Sequence, residues 1–320
     1  MKILLVMILF FISSNLESKN ICTDMFSKER GLCKLLRYRG VNDNYIKDLF
    51  KKDLFYRRDA ISKNFLTEKK FRIKHLKEKY GKFNFGKEVP RVKKNLREYR
   101  TVYRTVEKKY GVNKEIIASI LMKETNIGKK RPYHNAFVAL NTIYMEFMPV
   151  NTRNKKLINM ARNNLVSLII YSKKHKIPLN SKQFDSSYAG AIGINQFMPS
   201  SFVYAKAWSS KRKRANLWAM EDAITSTAYF LHKKAKFNKK INWVKTGDMK
   251  KIHKNWIKFS KNNKNSSFCL KKESNKKLNC FACNKPELEY TSKYIKMIMK
   301  YNFSSDYSMS VLKLAYLSTK

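Results

Sequence analysis

Acidic side chains are scarce in this chain: 23 Asp and Glu stand against 69 Lys and Arg, a formal net charge of +46 over 320 residues. A second long apolar run is missing too. After Ile3 to Ile12 no stretch is apolar enough to cross a bilayer, which excludes a transmembrane segment from the mature chain. No internal repeat is visible and strand signals are few, leaving a mainly α architecture. Histidine is sparse, and none lies near Cys280-Phe-Ala-Cys283 to complete a zinc set, for which only Cys269 offers a third ligand. Neither a metal nor a cofactor is therefore expected.

What is present defines a globular exported protein. Hydrophobic residues make up 43% of the chain, enough for a sizeable core in one large domain or two closely packed ones. Residues 1–18 read as a secretory signal: Lys2 is the positive start, Ile3 to Ile12 the apolar run, and Ser13, Ser14 and Ser18 the small or polar residues after it. Cys22 follows Ser-Lys-Asn-Ile, which lacks the small residues that precede a lipid-modified cysteine. The five cysteines lie beyond the signal in a disulfide-permissive setting, and their odd number leaves at least one unpaired within the chain. The expected pairs are Cys22 with Cys33, and Cys269 with Cys280 or Cys283. A charge of +46 attracts anionic polymers. Nucleic acid is nevertheless not expected, because lysine far outnumbers arginine, the lysines are spread along the whole chain, and the signal directs it out of the cell.

Hydrophobic spacing divides the mature chain into a helical N-terminal region at 19–95, a core at 96–235, a Lys- and Asn-rich insertion with cysteines at 236–287, and closing helices at 288–320. Pro90 is expected to start a long helix. Leu157, Ala161, Leu165, Leu168 and Ile169 mark another, and Pro199 a further one with Ser200 or Ser201 as its cap. Residues 221–236, Tyr290 to Met299 and Tyr307 to Leu317 complete the helical set. The insertion reads as loop-rich and tied by a disulfide.

Chemistry concentrates in two segments. In Tyr110-Gly-Val-Asn-Lys-Glu-Ile-Ile-Ala-Ser-Ile-Leu-Met-Lys-Glu-Thr125, Asn113 suits an N-cap, Ile116, Ile117, Ile120 and Leu121 recur at helical spacing, and Gly128 offers a stop. Glu124 falls on the side of Ile120 and Leu121. A carboxyl held against apolar side chains resists ionisation and can serve as a general acid. The second segment is Ser187-Tyr-Ala-Gly-Ala-Ile-Gly-Ile-Asn-Gln-Phe-Met-Pro-Ser-Ser201, where Gly190 and Gly193 permit a tight turn and close approach, and the Gln196 amide can both donate and accept.

Together with Tyr301-Asn302, Asn135-Ala-Phe-Val-Ala-Leu-Asn-Thr-Ile, Asn216-Leu-Trp and Asp222-Ala-Ile, these segments resemble the lysozyme-like lytic transglycosylases of bacteria, closest to the membrane-bound lytic transglycosylase B type. The likeness is clearest over residues 110–231 and 288–317. It implies a lysozyme-like catalytic core, with peptidoglycan glycan strands as the partner. It also places the family's catalytic glutamate on Glu124 and its substrate contacts on Ser187, Gln196, Tyr301 and Asn302, with Phe197 and Tyr301 as candidate sugar-stacking faces. For Phe197, a place in the core is an equally good reading.

Three departures stand out. Where the family often carries an aspartate-rich calcium loop, this chain has Trp208-Ser-Ser-Lys-Arg-Lys-Arg-Ala, so calcium is not expected. The family's tyrosine on the following helix falls on Phe230, beside Tyr229. Its pair of arginines beyond the catalytic helix has only Arg153 as a possible counterpart. The resemblance implies cleavage between N-acetylmuramic acid and N-acetylglucosamine by a single glutamate acid/base, closing a 1,6-anhydro ring. The alternatives are a hydrolytic muramidase, with Asp185 or another acid placing water, and a non-catalytic peptidoglycan-binding protein.

Overall fold

A computed structural model describes residues 21–59, 85–262, 281 and 285–320. The signal segment and Cys269, Cys280 and Cys283 lie outside these residues. The chain forms two compact units, 1–56 and 57–320.

In the first unit, α1 (Ser27–Tyr38), α2 (Asp43–Lys51) and the short α3 (Asp53–Tyr56) pack around Leu32, Leu36, Ile46, Leu49 and Phe55. The Asn42 side chain caps α2 by accepting from the Tyr45 amide at 3.0 Å. The expected Cys22–Cys33 disulfide ties the lead-in strand of chain to α1.

The second unit is built around α6 (Lys114–Thr125), with α4 (Phe85–Glu98), α5 (Arg100–Tyr110), α9 (Met220–Lys233) and α12 (Ser305–Thr319) packed about it. Residues 115–122 of α6 are all buried, as befits a helix enclosed on every side. α7 (Ala136–Glu146) pairs with the long α8 (Thr152–His175), whose Ala161, Leu165, Leu168 and Ile169 are buried. The two-residue strands β1 (His134–Asn135) and β2 (Asp185–Ser186) pair antiparallel, with Asn135 opposite Asp185. α10 (Met249–Asn262) and α11 (Pro286–Met299) pack against α12.

Several local expectations change. Asn113 is not a side-chain cap; its amide instead accepts from the Ile241 backbone N–H at 2.7 Å and donates to the Ile241 carbonyl at 3.3 Å, stitching the start of α6 to a distant loop. Pro90 sits inside α4, not at its start. Pro199 opens only a 3-10 turn (Pro199–Tyr204) with Met198 at the N-cap, and neither Ser200 nor Ser201 caps it; the Ser200 amide is taken by Asn164 Oδ1. The stretch 236–287 contains α10, whose Trp256 is 2% exposed and donates its indole N–H to Asp306.

Candidate active site

α6 delivers Glu124 in its last turn and α12 delivers Tyr307 in its first. The half-buried Glu124 accepts at Oε1 from the Tyr307 hydroxyl, 2.7 Å away. Tyr307 is 3% exposed and its place is fixed by the α12 cap, where Ser304 Oγ accepts from the Tyr307 amide. Burial, then the negative charge of Glu124, pushes the Tyr307 phenol well above the ordinary tyrosine range, so it remains a donor. The Lys123 ammonium lies 5.5 Å from the centre of the Tyr307 ring.

The chain leaves α6 through three successive left-handed residues, Asn126, Ile127 and Gly128, at φ of 54°, 55° and 74°. Asn126 and not Gly128 is the first of them, and the Ile127 amide reaches back to the Leu121 carbonyl to close the helix end. Two non-glycine residues in this region are uncommon and need surrounding structure to hold them. Thr125 supplies it: its hydroxyl donates to the Ile194 carbonyl at 2.8 Å and accepts from the Gly128 amide at 3.0 Å. The end of the helix is thereby pinned to the glycine-bearing segment.

That segment packs so closely that its glycines are obligatory. A Cβ on Gly193 would stand 2.5 Å from the Leu217 Cβ, and one on Gly190 would stand 2.6 Å from the Leu140 Cγ; both have φ above +80°. The Ile192 and Phe197 backbones exchange two hydrogen bonds of 2.8 Å, and the Ile194 amide donates to the Leu217 carbonyl. Gln196 takes φ +50°, with its side-chain amide donating to the Gly193 carbonyl at 2.9 Å. Ser187 closes the other end of the loop, its Oγ accepting from the Ala191 amide.

Tyr301, in the turn after α11, donates its hydroxyl to the Asn195 carbonyl. Its ring lies 5.0 Å from Phe230 and 6.0 Å from Phe197. Burial and the charge of Glu124 hold its phenol well above the usual range. Asn302 continues the turn into α12. The structure therefore gathers Glu124, Gln196, Tyr301 and Asn302 onto elements that meet at the end of α6, with Ser187 at the far end of the glycine segment.

Of the two readings of Phe197, its 3% exposure and its packing on Phe230 and Tyr301 favour the core place over a sugar-stacking face. Phe230 is equally buried in the same cluster. Tyr307 is the residue that sequence reasoning passed over; its signal is a tyrosine in the first turn of the helix that follows Tyr301-Asn302.

Asp185 is ion-paired to Arg131 at 3.1 Å, and the Arg131 guanidinium lies 4.6 Å from the centre of the Trp218 ring. Arg153 is exposed at the start of α8. In the Trp208 to Ala215 stretch, fully buried Asp222 accepts from the Trp208 and Asn216 amides and from the Arg212 guanidinium at 2.6–2.8 Å, so a cation of the protein's own neutralises that carboxylate. On α4, Glu88 faces the Lys123 side of α6; burial, only partly offset by Lys123, Arg91 and Lys130, pushes its carboxyl up to about 7.

A helix-terminal glutamate held by a tyrosine, a glycine-bearing loop and two closing helices is the arrangement of the lysozyme-like fold, and the comparisons agree. Residues 27–316 match the Transglycosylase SLT domain family, and the chain belongs to that family. It is 31% identical to membrane-bound lytic murein transglycosylase B of Escherichia coli over 137 residues, 42% of this chain and 33% of that protein. The match thus spans about a third of that relative's length. Among solved structures, soluble lytic transglycosylase SltB1 from Pseudomonas aeruginosa superposes with a TM-score of 0.58 at 19% identity, covering 91% of this chain and 98% of its own. SltB3 from the same organism, in complex with NAG-anhNAM-pentapeptide, gives 0.58 at 17% identity over 90% of this chain and 77% of its own. These structural likenesses establish the fold.

Proposed function

We propose that the protein is an exported lytic transglycosylase acting on peptidoglycan, with Glu124 as its single acid and base. The observation that carries this reading is the Tyr307 hydroxyl on Glu124 Oε1, which holds one carboxyl oxygen in place at the joint of α6, the glycine segment and the α11–α12 turn.

Protonated Glu124 gives its proton to the glycosidic oxygen between N-acetylmuramic acid and N-acetylglucosamine, and the bond from C1 to that oxygen breaks. The 2-acetamido carbonyl oxygen of the muramyl residue supplies the electron pair that C1 loses. Glu124, now a carboxylate, takes the proton of the C6 hydroxyl as O6 attacks C1 and displaces the acetamido oxygen, which takes back its electron pair; the 1,6-anhydro ring closes and the acid is restored. No water enters. A second carboxylate is unnecessary in this scheme, and the ion pair with Arg131 is a structural use for Asp185, the candidate for a hydrolytic route.

Ser187, Gln196 and Asn302 are assigned to the N-acetyl and hydroxyl groups of the glycan, and Tyr301 to the wall of the cleft. SltB3 from Pseudomonas aeruginosa has a solved structure in complex with NAG-NAM-pentapeptide, which supports a peptide-bearing glycan as the substrate class. Export is supported by the signal-like residues 1–18 and by the Cys22–Cys33 disulfide, which suits an oxidising compartment. The stretch 236–287 is proposed to brace α12 through α10. Glu124→Gln is expected to abolish release of soluble fragments from isolated peptidoglycan while leaving the thermal transition unchanged. Retained activity in that variant would remove Glu124 from its role.

A further inference from the structure

Between α5 and α9, and walled on a third side by residues 206–208, lies a cavity of about 620 Å³. It falls within the roughly 300–1,000 Å³ range of small-molecule sites. None of its lining residues is Glu124, Tyr301 or Tyr307, and none is a carboxylate. Its chemistry is of two kinds. Tyr110, Trp208 and Tyr229 give ring surface, while Lys109, Lys206 and Lys233 bring three ammonium groups.

The walls are built and not merely adjacent. Lys206 is clamped to α9 by its backbone, its amide donating to Ser226 Oγ at 2.9 Å and its carbonyl accepting from the same hydroxyl at 3.2 Å. The Trp208 amide is held by the buried carboxylate of Asp222 at 2.8 Å. His232 donates from Nδ1 to the Tyr110 carbonyl at 2.9 Å, which ties the two helices. The lysines are held by ring faces: the Lys206 ammonium is 4.8 Å from the Tyr229 ring centre, and that of Lys109 is 5.6 Å from the Tyr110 ring centre. Among the described residues none of the three ammonium groups has a carboxylate partner.

Two of these lysines have an ordinary reason to be where they are. Lys109 and Lys233 lie in the last turns of α5 and α9, where cations complement the helix dipoles. Lys206 comes from a loop and has no such reason. Its ammonium lies over Tyr229, and with the exposed Lys109 and Lys233 lining the same open pocket it suits an anion that also carries a ring or an apolar face.

We infer that this cavity is a second, non-catalytic binding site for an acidic saccharide, a sugar ring bearing a carboxylate or a phosphate. The acid group sits among Lys109, Lys206 and Lys233. The ring lies against Tyr229 and Trp208, with His232 beside it. The ligand chemistry is read from the cavity alone and does not depend on the role of Glu124.

The test is calorimetric titration of the full mature chain with N-acetylmuramic acid, N-acetylglucosamine 6-phosphate, neutral N-acetylglucosamine and inorganic phosphate. At least one acidic sugar is expected to bind at least about tenfold more tightly than both the neutral sugar and phosphate alone. Which acidic sugar binds more tightly identifies the source. The Lys206→Ala, Lys233→Ala double variant is expected to lose at least about tenfold in that affinity while retaining the wild-type thermal transition and peptidoglycan cleavage. Equal affinity for acidic and neutral sugars, phosphate binding as tight as the acidic sugars, or unchanged affinity in the double variant would each overturn the assignment.

Discussion

Tyr307 contributes one hydroxyl to the site, and its removal isolates what that hydroxyl does. A hydrogen bond to a charged group is worth about 1.5–3 kcal/mol, so Tyr307→Phe is expected to lower kcat by roughly 10- to 150-fold. KM should change little, because the hydroxyl faces Glu124, and a loss confined to KM would make Tyr307 a substrate contact. Glu88 gives a pH test of the same neighbourhood. Its carboxyl is raised from 4.5 to about 7, so the folded state binds that proton more tightly than the unfolded chain does. The stability it adds is complete below pH 4.5 and is lost as pH rises through 7. Glu88→Gln keeps the group neutral and should flatten the decline in thermal stability across that window; an unchanged profile would place the titration elsewhere. Glu124 stood out in the sequence as a carboxylate on an apolar helical face, but its proposed role rests on the glycine segment and the family resemblance that follow it, because a lone glutamate at a helix end more often faces water. Tyr307 did not stand out, because a tyrosine at a helix start looks like any core aromatic until the fold brings it to Glu124. Phe197 stayed open between a stacking face and a core place, because an aromatic next to a polar loop has the composition of either, and its packing against Phe230 and Tyr301 favours the core.

The helices followed from apolar spacing wherever one face was buried, as in α8, α9, α11 and α12. Their ends did not, since caps depend on partners distant in sequence: Asn113 bonds Ile241, and the Ser200 amide bonds Asn164. α10 was hidden by the Lys- and Asn-rich composition around it, although Trp256 and His253 are buried on its inner face. The glycine segment was legible as a tight turn, and the structure adds what each glycine avoids. Gly193→Ala would force a Cβ to within 2.5 Å of Leu217 at φ +84°. It is expected to destabilise the protein by more than about 2 kcal/mol in urea unfolding and to reduce activity along with it. A neutral outcome would mean that the segment can shift away from Leu217. The Trp208 to Ala215 stretch depends in the same way on Asp222. Asp222→Ala leaves the Trp208 and Asn216 amides without their acceptor and should cost about 1–3 kcal/mol for each, with Asp222→Asn costing less. An equal loss from both substitutions would argue that the charge of the carboxylate, not its shape, secures the stretch.

The whole molecule carries +46 charges on a fold whose family is shared by lytic transglycosylases. That excess was the plainest feature of the sequence, yet composition alone could not say whether it served recognition or solvation. Salt separates the two. Binding of the Glu124→Gln variant to isolated peptidoglycan is expected to weaken by at least about tenfold between roughly 0.05 and 0.5 M salt, and salt-independent binding would assign the affinity to cleft contacts instead. The division into units at 56 and 57 was likewise hidden, because the chain around it keeps the same Lys-, Phe- and Leu-rich texture throughout. The central claim concerns chemistry, and its products decide it. Isolated peptidoglycan digested with the mature protein should release muropeptides that are one water lighter than hydrolytic products by mass spectrometry and resist borohydride reduction, with none released by Glu124→Gln. Muropeptides with reducible ends would contradict the account, showing that water attacks and that a second group, not the C6 hydroxyl, completes the reaction.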